Sequence, residues 1–136
     1  MKAEYFVFDL GRIDDISGTL HVAEFAAIGC SFQRWYFIVG VPRGVRRGGH
    51  AHKTQSECLI CIQGSVTVHI EARGTRTVVP LATPGQALYL PAGYWRDLID
   101  FSAGAILGVL ASGPFDEADY IRETTAFRTW ERVTDG

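Results

Sequence analysis

Hydrophobic and polar side chains alternate along most of this chain with a period of two. The runs Tyr5-Phe6-Val7-Phe8, Arg34-Trp35-Tyr36-Phe37-Ile38-Val39, Cys58-Leu59-Ile60-Cys61-Ile62, Val66-Thr67-Val68-His69-Ile70, Arg76-Thr77-Val78-Val79, Ala87-Leu88-Tyr89-Leu90 and Ala105-Ile106-Leu107-Gly108-Val109-Leu110 are short and rich in β-branched and aromatic residues. That pattern predicts strands, not helices. Gln63-Gly64-Ser65, Arg73-Gly74-Thr75, Pro84-Gly85 and Pro91-Ala92-Gly93 supply the turns between them. The chain is therefore predicted to be all-β, a sandwich or jelly-roll barrel. Only the tail, from Asp116 to about Trp130, reads as helical. No linker or repeat divides it, so residues 1–136 are taken as one domain.

Composition agrees with a packed domain: 136 residues, 47% of them hydrophobic, with a net charge of −2. The longest apolar stretch, Ala103 to Ala111, is too short to span a bilayer, and Met1-Lys2-Ala3-Glu4 opens no signal peptide. A soluble cytoplasmic protein is the expectation. Three cysteines, an odd number, make no disulfide framework. Cys58 and Cys61 spell C-x-x-C, but on a strand they point to opposite faces, so they are read as core residues and not as a zinc or redox pair.

Charge type says more than net charge. Of thirteen basic residues only Lys2 and Lys53 are lysine, and Arg43, Arg46 and Arg47 immediately precede a histidine pair. Arginine offers forked donors for phosphate and carboxylate. The chain has no basic stripe and is net acidic, which argues against a nucleic-acid partner.

The candidate chemistry lies between Gly44 and Gly64. Gly44, five residues, His50-Ala51-His52, four residues, Glu57, six residues and Gly64 follow one another. Histidines at i and i+2 of an extended segment share a face, and a carboxylate past a bend folds back toward them. Such a site serves either divalent-metal binding or proton transfer. Downstream, Gly85, five residues and Pro91-Ala92-Gly93 are followed by Arg96.

The first segment resembles the first motif of the cupin superfamily, and the second the start of its second motif, with Arg96 standing where metal-binding members carry their last histidine. Guanidinium has no lone pair to give a metal and repels one nearby. His50, His52 and Glu57 would still make a 2-His-1-carboxylate set, and a metal-dependent cupin remains the alternative. Within the cupins, Arg47-Gly48-Gly49-His50-Ala51-His52-Lys53, Trp95, Asp100-Phe101-Ser102, Leu110-Ala111-Ser112 and Phe115-Asp116-Glu117 with Asp119-Tyr120-Ile121-Arg122 look like the nucleotide-sugar 3,4-ketoisomerases. That resemblance implies a metal-free, cofactor-free cupin jelly roll and a homodimer with exchanged N-terminal strands. Its expected partner is a dTDP-linked 4-keto-6-deoxy sugar, in the making of amino sugars for surface polysaccharides or antibiotics.

Three departures from that family's pattern stand out. Asp15-Ile16-Ser17-Gly18 replaces Asp-x-Arg-Gly, Glu57 replaces a frequent glutamine, and Trp35-Tyr36-Phe37 leaves Tyr36 as the tyrosine of the aromatic pair. Glu57 is also what a metal-binding cupin would carry.

Moving a carbonyl from C4 to C3 of a sugar means removing the C3 proton, passing through an enediol and protonating C4. The base should titrate near neutrality, which favours histidine, and the enolate oxygen needs a fixed donor. His52 is expected to be the principal base, His50 its partner and Tyr36 a donor. Arg34 and Tyr36 share a face of their strand and are expected to point inward with the histidines. Arg34, Arg47, Glu57, Trp95, Arg96 and Arg122 are the expected substrate contacts; Trp95 would stack on a ring, Arg122 would meet a diphosphate, and Arg96 sits at the barrel mouth. Tyr120 and Phe115 are expected to anchor the tail. His21 and His69 have no convergent partners.

Overall fold

The computed structural model describes residues 3–135. Twelve strands and one helix follow in order: β1 Phe6–Asp9, β2 Gly11–Asp15, β3 Gly18–Val22, β4 Arg34–Val39, β5 Arg47–His52, β6 Glu57–Gln63, β7 Val66–Ala72, β8 Thr75–Leu81, β9 Gln86–Leu90, β10 Trp95–Ile99, β11 Ile106–Ala111, β12 Tyr120–Ile121 and α1 Thr124–Asp135. Two five-stranded sheets, β1-β9-β6-β11-β4 and β12-β5-β10-β7-β8, exchange strands along the chain, and every pairing is antiparallel. This is the predicted jelly roll. No helix among the described residues is long and apolar enough to cross a membrane.

Alternation decides where the core sits. The inward positions of the two sheets, among them Leu59, Val68, Leu88, Leu107 and Val109, form one cluster with almost no exposure. Cys61 belongs to it, whereas Cys58 packs on the other side of β6 with Ile60 and Ala87, so the two thiols do face apart. Burial pushes the Cys58 thiol up to about 12, which leaves it unreactive. A third cluster, Ala51, Trp95, Ile121 and Phe127, joins the second sheet's outer face to α1.

The expected helix is shorter at its start and extends to Asp135. Asp116 instead accepts from the Ala118 amide at 3.0 Å and caps a single 3₁₀ turn, Glu117–Asp119. Tyr120 and Ile121 then pair with His52 and Ala51 as an edge strand. Tertiary pairing outweighs local helical preference there. Strands β2, β3 and β10 lie outside the alternating runs. β10, with a burial pattern that shows no clean alternation, is covered on both faces, and the β2–β3 hairpin is exposed on both.

One irregularity positions the histidines. Between β5 and β10 the register slips, with His50 opposite Arg96 but Gly48 opposite Asp97. The slip needs two left-handed residues, Gly48 at φ 79° and Gly49 at φ 68°. A Cβ on Gly48 would stand 3.0 Å from the Arg96 carbonyl oxygen. Gly48→Ala should therefore cost about 2 kcal/mol or more and lower the melting temperature by roughly 5 °C. A thermal melt matching that of the unsubstituted protein would contradict this placement of the bulge.

Candidate active site

Four strands direct polar side chains into the interior at one end of the barrel: Tyr36 from β4, His50 and His52 from β5, Glu57 from β6 and Arg96 from β10. His52, Glu57 and Arg96 are 0%, 2% and 1% exposed, so each depends on protein partners for its polar atoms. Arg96 Nη1 donates to Glu57 Oε1 at 2.5 Å and Nη2 to the Tyr94 carbonyl at 3.2 Å. The other carboxylate oxygen, Oε2, accepts from the Tyr36 hydroxyl at 2.8 Å. Burial first, and then the charge of Glu57, push the Tyr36 phenol up, so it keeps its proton.

The two imidazoles are held in defined tautomers. His52 Nδ1 lies 3.0 Å from Asp119 Oδ2. The Asp119 carboxylate also accepts from the Thr54 amide at 2.8 Å, the Thr54 hydroxyl at 2.6 Å and the Gln55 amide at 3.2 Å. Burial works against that charge, but these donors prevail and hold the carboxyl below its usual range. An ionised acceptor keeps the proton on Nδ1, leaving a lone pair on His52 Nε2. Among the described residues that atom has no hydrogen-bond partner, and it lies 3.6 Å from Glu57 Oε2. The His50 ring bonds to the Gly48 carbonyl, and its Nε2 is likewise buried and unpartnered. Burial, with Arg96 and His52 nearby, brings His50 down to about 3, and burial with Arg96 also lowers His52 against the pull of Glu57 and Asp119. Both rings are neutral at pH 7. Tyr120 packs against them, with centroids 4.8 Å from His50 and 4.5 Å from His52.

A divalent ion does not suit this donor set. One atom each of His50, His52 and Glu57 falls within 4.8 Å of the others. Both Glu57 oxygens are already engaged, however, and one of them is bonded to a fixed cation. Proton transfer is the chemistry the arrangement does suit: two buried lone pairs beside a protonated phenol.

Comparisons with known proteins identify relatives of this chain. The family model described as FdtA: WxcM-like, C-terminal matches residues 3–132. The chain belongs to the FdtA family. It is 33% identical over 125 residues, 91% of this chain and 90% of the relative, to the TDP-4-oxo-6-deoxy-alpha-D-glucose-3,4-oxoisomerase of Aneurinibacillus thermoaerophilus. Among solved structures it is similar to the sugar 3,4-ketoisomerase QdtA of Thermoanaerobacterium thermosaccharolyticum in complex with TDP, at 31% identity and a TM-score of 0.92 over 98% of each chain. A 3,4-ketoisomerase from Helicobacter canadensis matches at 29% identity and a TM-score of 0.89, covering 99% of this chain and all of that one. The fold is thus the cupin jelly roll of these enzymes.

Several expected contacts of this FdtA-family chain lie elsewhere. Trp95 faces away from Arg96, is buried 6.0 Å from Phe127 and donates to Asp97 at 3.2 Å, so it cannot stack on a ligand in the barrel. Neighbours on a strand point to opposite faces, and the Trp95 side went to α1. Arg96 lies in the barrel interior and not at its mouth. Arg47 is exposed at the start of β5 and is not brought to the cluster. Arg34 does share the inward face with Tyr36, 5.3 Å from its ring, but donates to the Gly113 carbonyl at 3.1 Å and to Gln55 at 3.3 Å. It clamps the segment after β11. Arg122 pairs with Glu117 at 2.6 Å and lies 4.3 Å above the Tyr120 ring, at the rim. Asp119 and Gln55 were not among the expected site residues. The sequence clue to Asp119 is its place in the Asp119-Tyr120-Ile121-Arg122 string that carries the family resemblance.

Neutral buried histidines make stability depend on acid. Below pH 6.5, the ordinary imidazole value, the unfolded chain binds more protons than the folded one, because His50 stays neutral down to about 3. The depressed carboxyl of Asp119 acts in the same direction. Urea midpoints should therefore fall as the pH drops from 6.5 toward about 4. His50→Asn should flatten that slope, and an equally steep slope in the variant would count against a neutral His50.

Proposed function

We propose that this protein is a sugar-nucleotide 3,4-ketoisomerase that converts dTDP-4-keto-6-deoxyglucose to dTDP-3-keto-6-deoxyhexose. The observation that carries this reading is the pair of buried, neutral, unpartnered Nε2 atoms beside the protonated Tyr36. In a site this dry, lone pairs without partners are costly unless a substrate proton meets them.

Each proton shift has a residue of the right state. His52 Nε2, freed by the Asp119 bond on its other nitrogen, removes the C3 proton, and the electrons of that bond form the enediolate with the C4 oxygen. His50, neutral and with its lone pair inward, accepts the O3 proton and passes it to O4. The carbonyl re-forms at C3 as Tyr36 gives its proton to C4. Arg96 and Glu57 keep fixed charges beneath the reacting atoms. Arg122 at the rim is the first candidate for the diphosphate, with Arg34 nearer the sugar and Arg47 reached only by a ligand extending past the mouth. The reaction needs neither metal nor redox cofactor.

Two surfaces support a homodimer with exchanged N-terminal strands. β2 and β3 pair only with each other among the described residues, and a lone hairpin is marginal in water. Ile13, Ile16 and Leu20 on it, and Trp35, Phe37 and Val39 on the outer face of β4, are exposed. Three free cysteines fit a cytoplasmic location, where thiols stay reduced.

Incubating metal-stripped protein with dTDP-4-keto-6-deoxyglucose should yield the 3-keto product, observed by NMR. Activity lost to a chelator and restored by iron, manganese or nickel would overturn the metal-free reading. His52→Asn should lower the rate by on the order of a hundredfold with the fold intact, and solvent deuterium should no longer enter at C3 or C4 at the original rate. The product is read as gluco-configured, because the always-charged Arg96 cannot return a proton from its own side. Arg96→His should then change the epimer ratio more than the rate of C3 proton loss. An unchanged ratio with a collapsed rate would place Arg96 among the substrate-anchoring groups.

A further inference from the structure

The steps above leave the site in a different state from the one it began in. After one turnover His52 Nε2 carries the proton taken from C3, and Tyr36 has given its own to C4. The enzyme is reset when the histidine loses that proton and the phenolate regains one, and the shortest route is a transfer from the one to the other. Both groups are inside the barrel, with His52 fully buried and Tyr36 partly so.

Glu57 stands between them. Its Oε2 is 2.8 Å from the Tyr36 hydroxyl and 3.6 Å from His52 Nε2, and among the described residues no other carboxylate is bonded to Tyr36. Its Oε1 is tied to Arg96, which prevents the carboxylate from turning Oε2 away. We infer that Glu57 is a proton relay that returns the C3 proton from His52 to Tyr36 and so closes a circuit within the barrel. The inference rests on the ketoisomerase reading and adds a role that reading does not require. In the return step the N–H bond at His52 Nε2 breaks and an O–H bond forms at Glu57 Oε2. That bond then breaks as the Tyr36 O–H re-forms, and no electron leaves the site. The phenolate and the imidazolium, which carry opposite charge, disappear together, and the Arg96–Glu57 ion pair is restored. A glutamine at this position would keep the shape and a carbonyl acceptor for Tyr36 but could not carry the proton.

The circuit has an isotopic signature. Protein equilibrated in D2O carries deuterium on Tyr36, so with ordinary substrate the first product should be deuterated at C4. Protium taken from C3 in that turnover is then relayed to Tyr36 and should appear at C4 of the products that follow. Rapid quenching into borohydride, which prevents later exchange beside the ketone, allows the first equivalent and the later ones to be compared by mass spectrometry. Glu57→Gln should give C4 deuterium in every turnover and slow its later turnovers by roughly tenfold or more relative to its own first turnover. A purely structural Glu57 would slow both phases equally. Complete deuteration of C4 in all turnovers of the unsubstituted protein would overturn the relay. Protium already present in the first equivalent would overturn it too, because His52 would then be returning its own proton. The measurement on the unsubstituted protein decides the question even if Glu57→Gln fails to fold. Absence of any 3-keto product would instead refute the ketoisomerase reading itself.

Discussion

The ion pair between Arg96 and Glu57 is the constraint around which the rest of the barrel interior is arranged. Two charges with 1% and 2% exposure are tolerated only because each satisfies the other and a further group, the Tyr94 carbonyl for the guanidinium and the Tyr36 hydroxyl for the carboxylate. Removing one member of such a pair typically costs about 3–5 kcal/mol, because the other is left charged and dry. The same pair sets the electrostatics of the site. It occupies the carboxylate that a metal would need; added to burial, its arginine lowers both histidines and its carboxylate helps to hold the Tyr36 proton in place. A site with a metal-binding outline thereby becomes a site for moving protons.

The other half of the arrangement comes from the chain's end. Asp119 reaches the back of His52 only because the segment before α1 pairs with β5 as an edge strand. α1 holds that segment down through Phe127, which packs on the outward faces of β5 and β10. The docking of a helix on the outside of the second sheet is thus linked to the tautomer of a histidine on its inside. Arg34 and Gln55 tie down the neighbouring segment at Gly113 and Pro114.

Much of this was legible in the sequence. Period-two patterning disclosed most of the strands and the fold class, and the His50-Ala51-His52 spacing with Glu57 and Arg96 identified the cluster and its leaning away from metal. The residues that carried the family resemblance were sufficient to name the reaction. These are local properties. A strand's alternation follows from the pleat, and the chemistry of an arginine in place of a histidine is fixed by its functional group.

What the sequence could not decide was which polar groups meet. Trp95 and Arg96 are neighbours in the chain, yet one is packed against a helix and the other against a carboxylate 39 residues away, a division made by the sheet having two faces. Asp119 lies 67 residues from His52 and contacts it only because an edge strand closes the barrel there. The hairpin β2–β3 and the doubly covered β10 lack the one-sided burial that makes a strand visible as alternation. Spacing along the chain determined the kinds of group available, whereas their tautomers, charges and order of contact depended on long-range pairing, since burial and nearby charge act through space and not along the backbone.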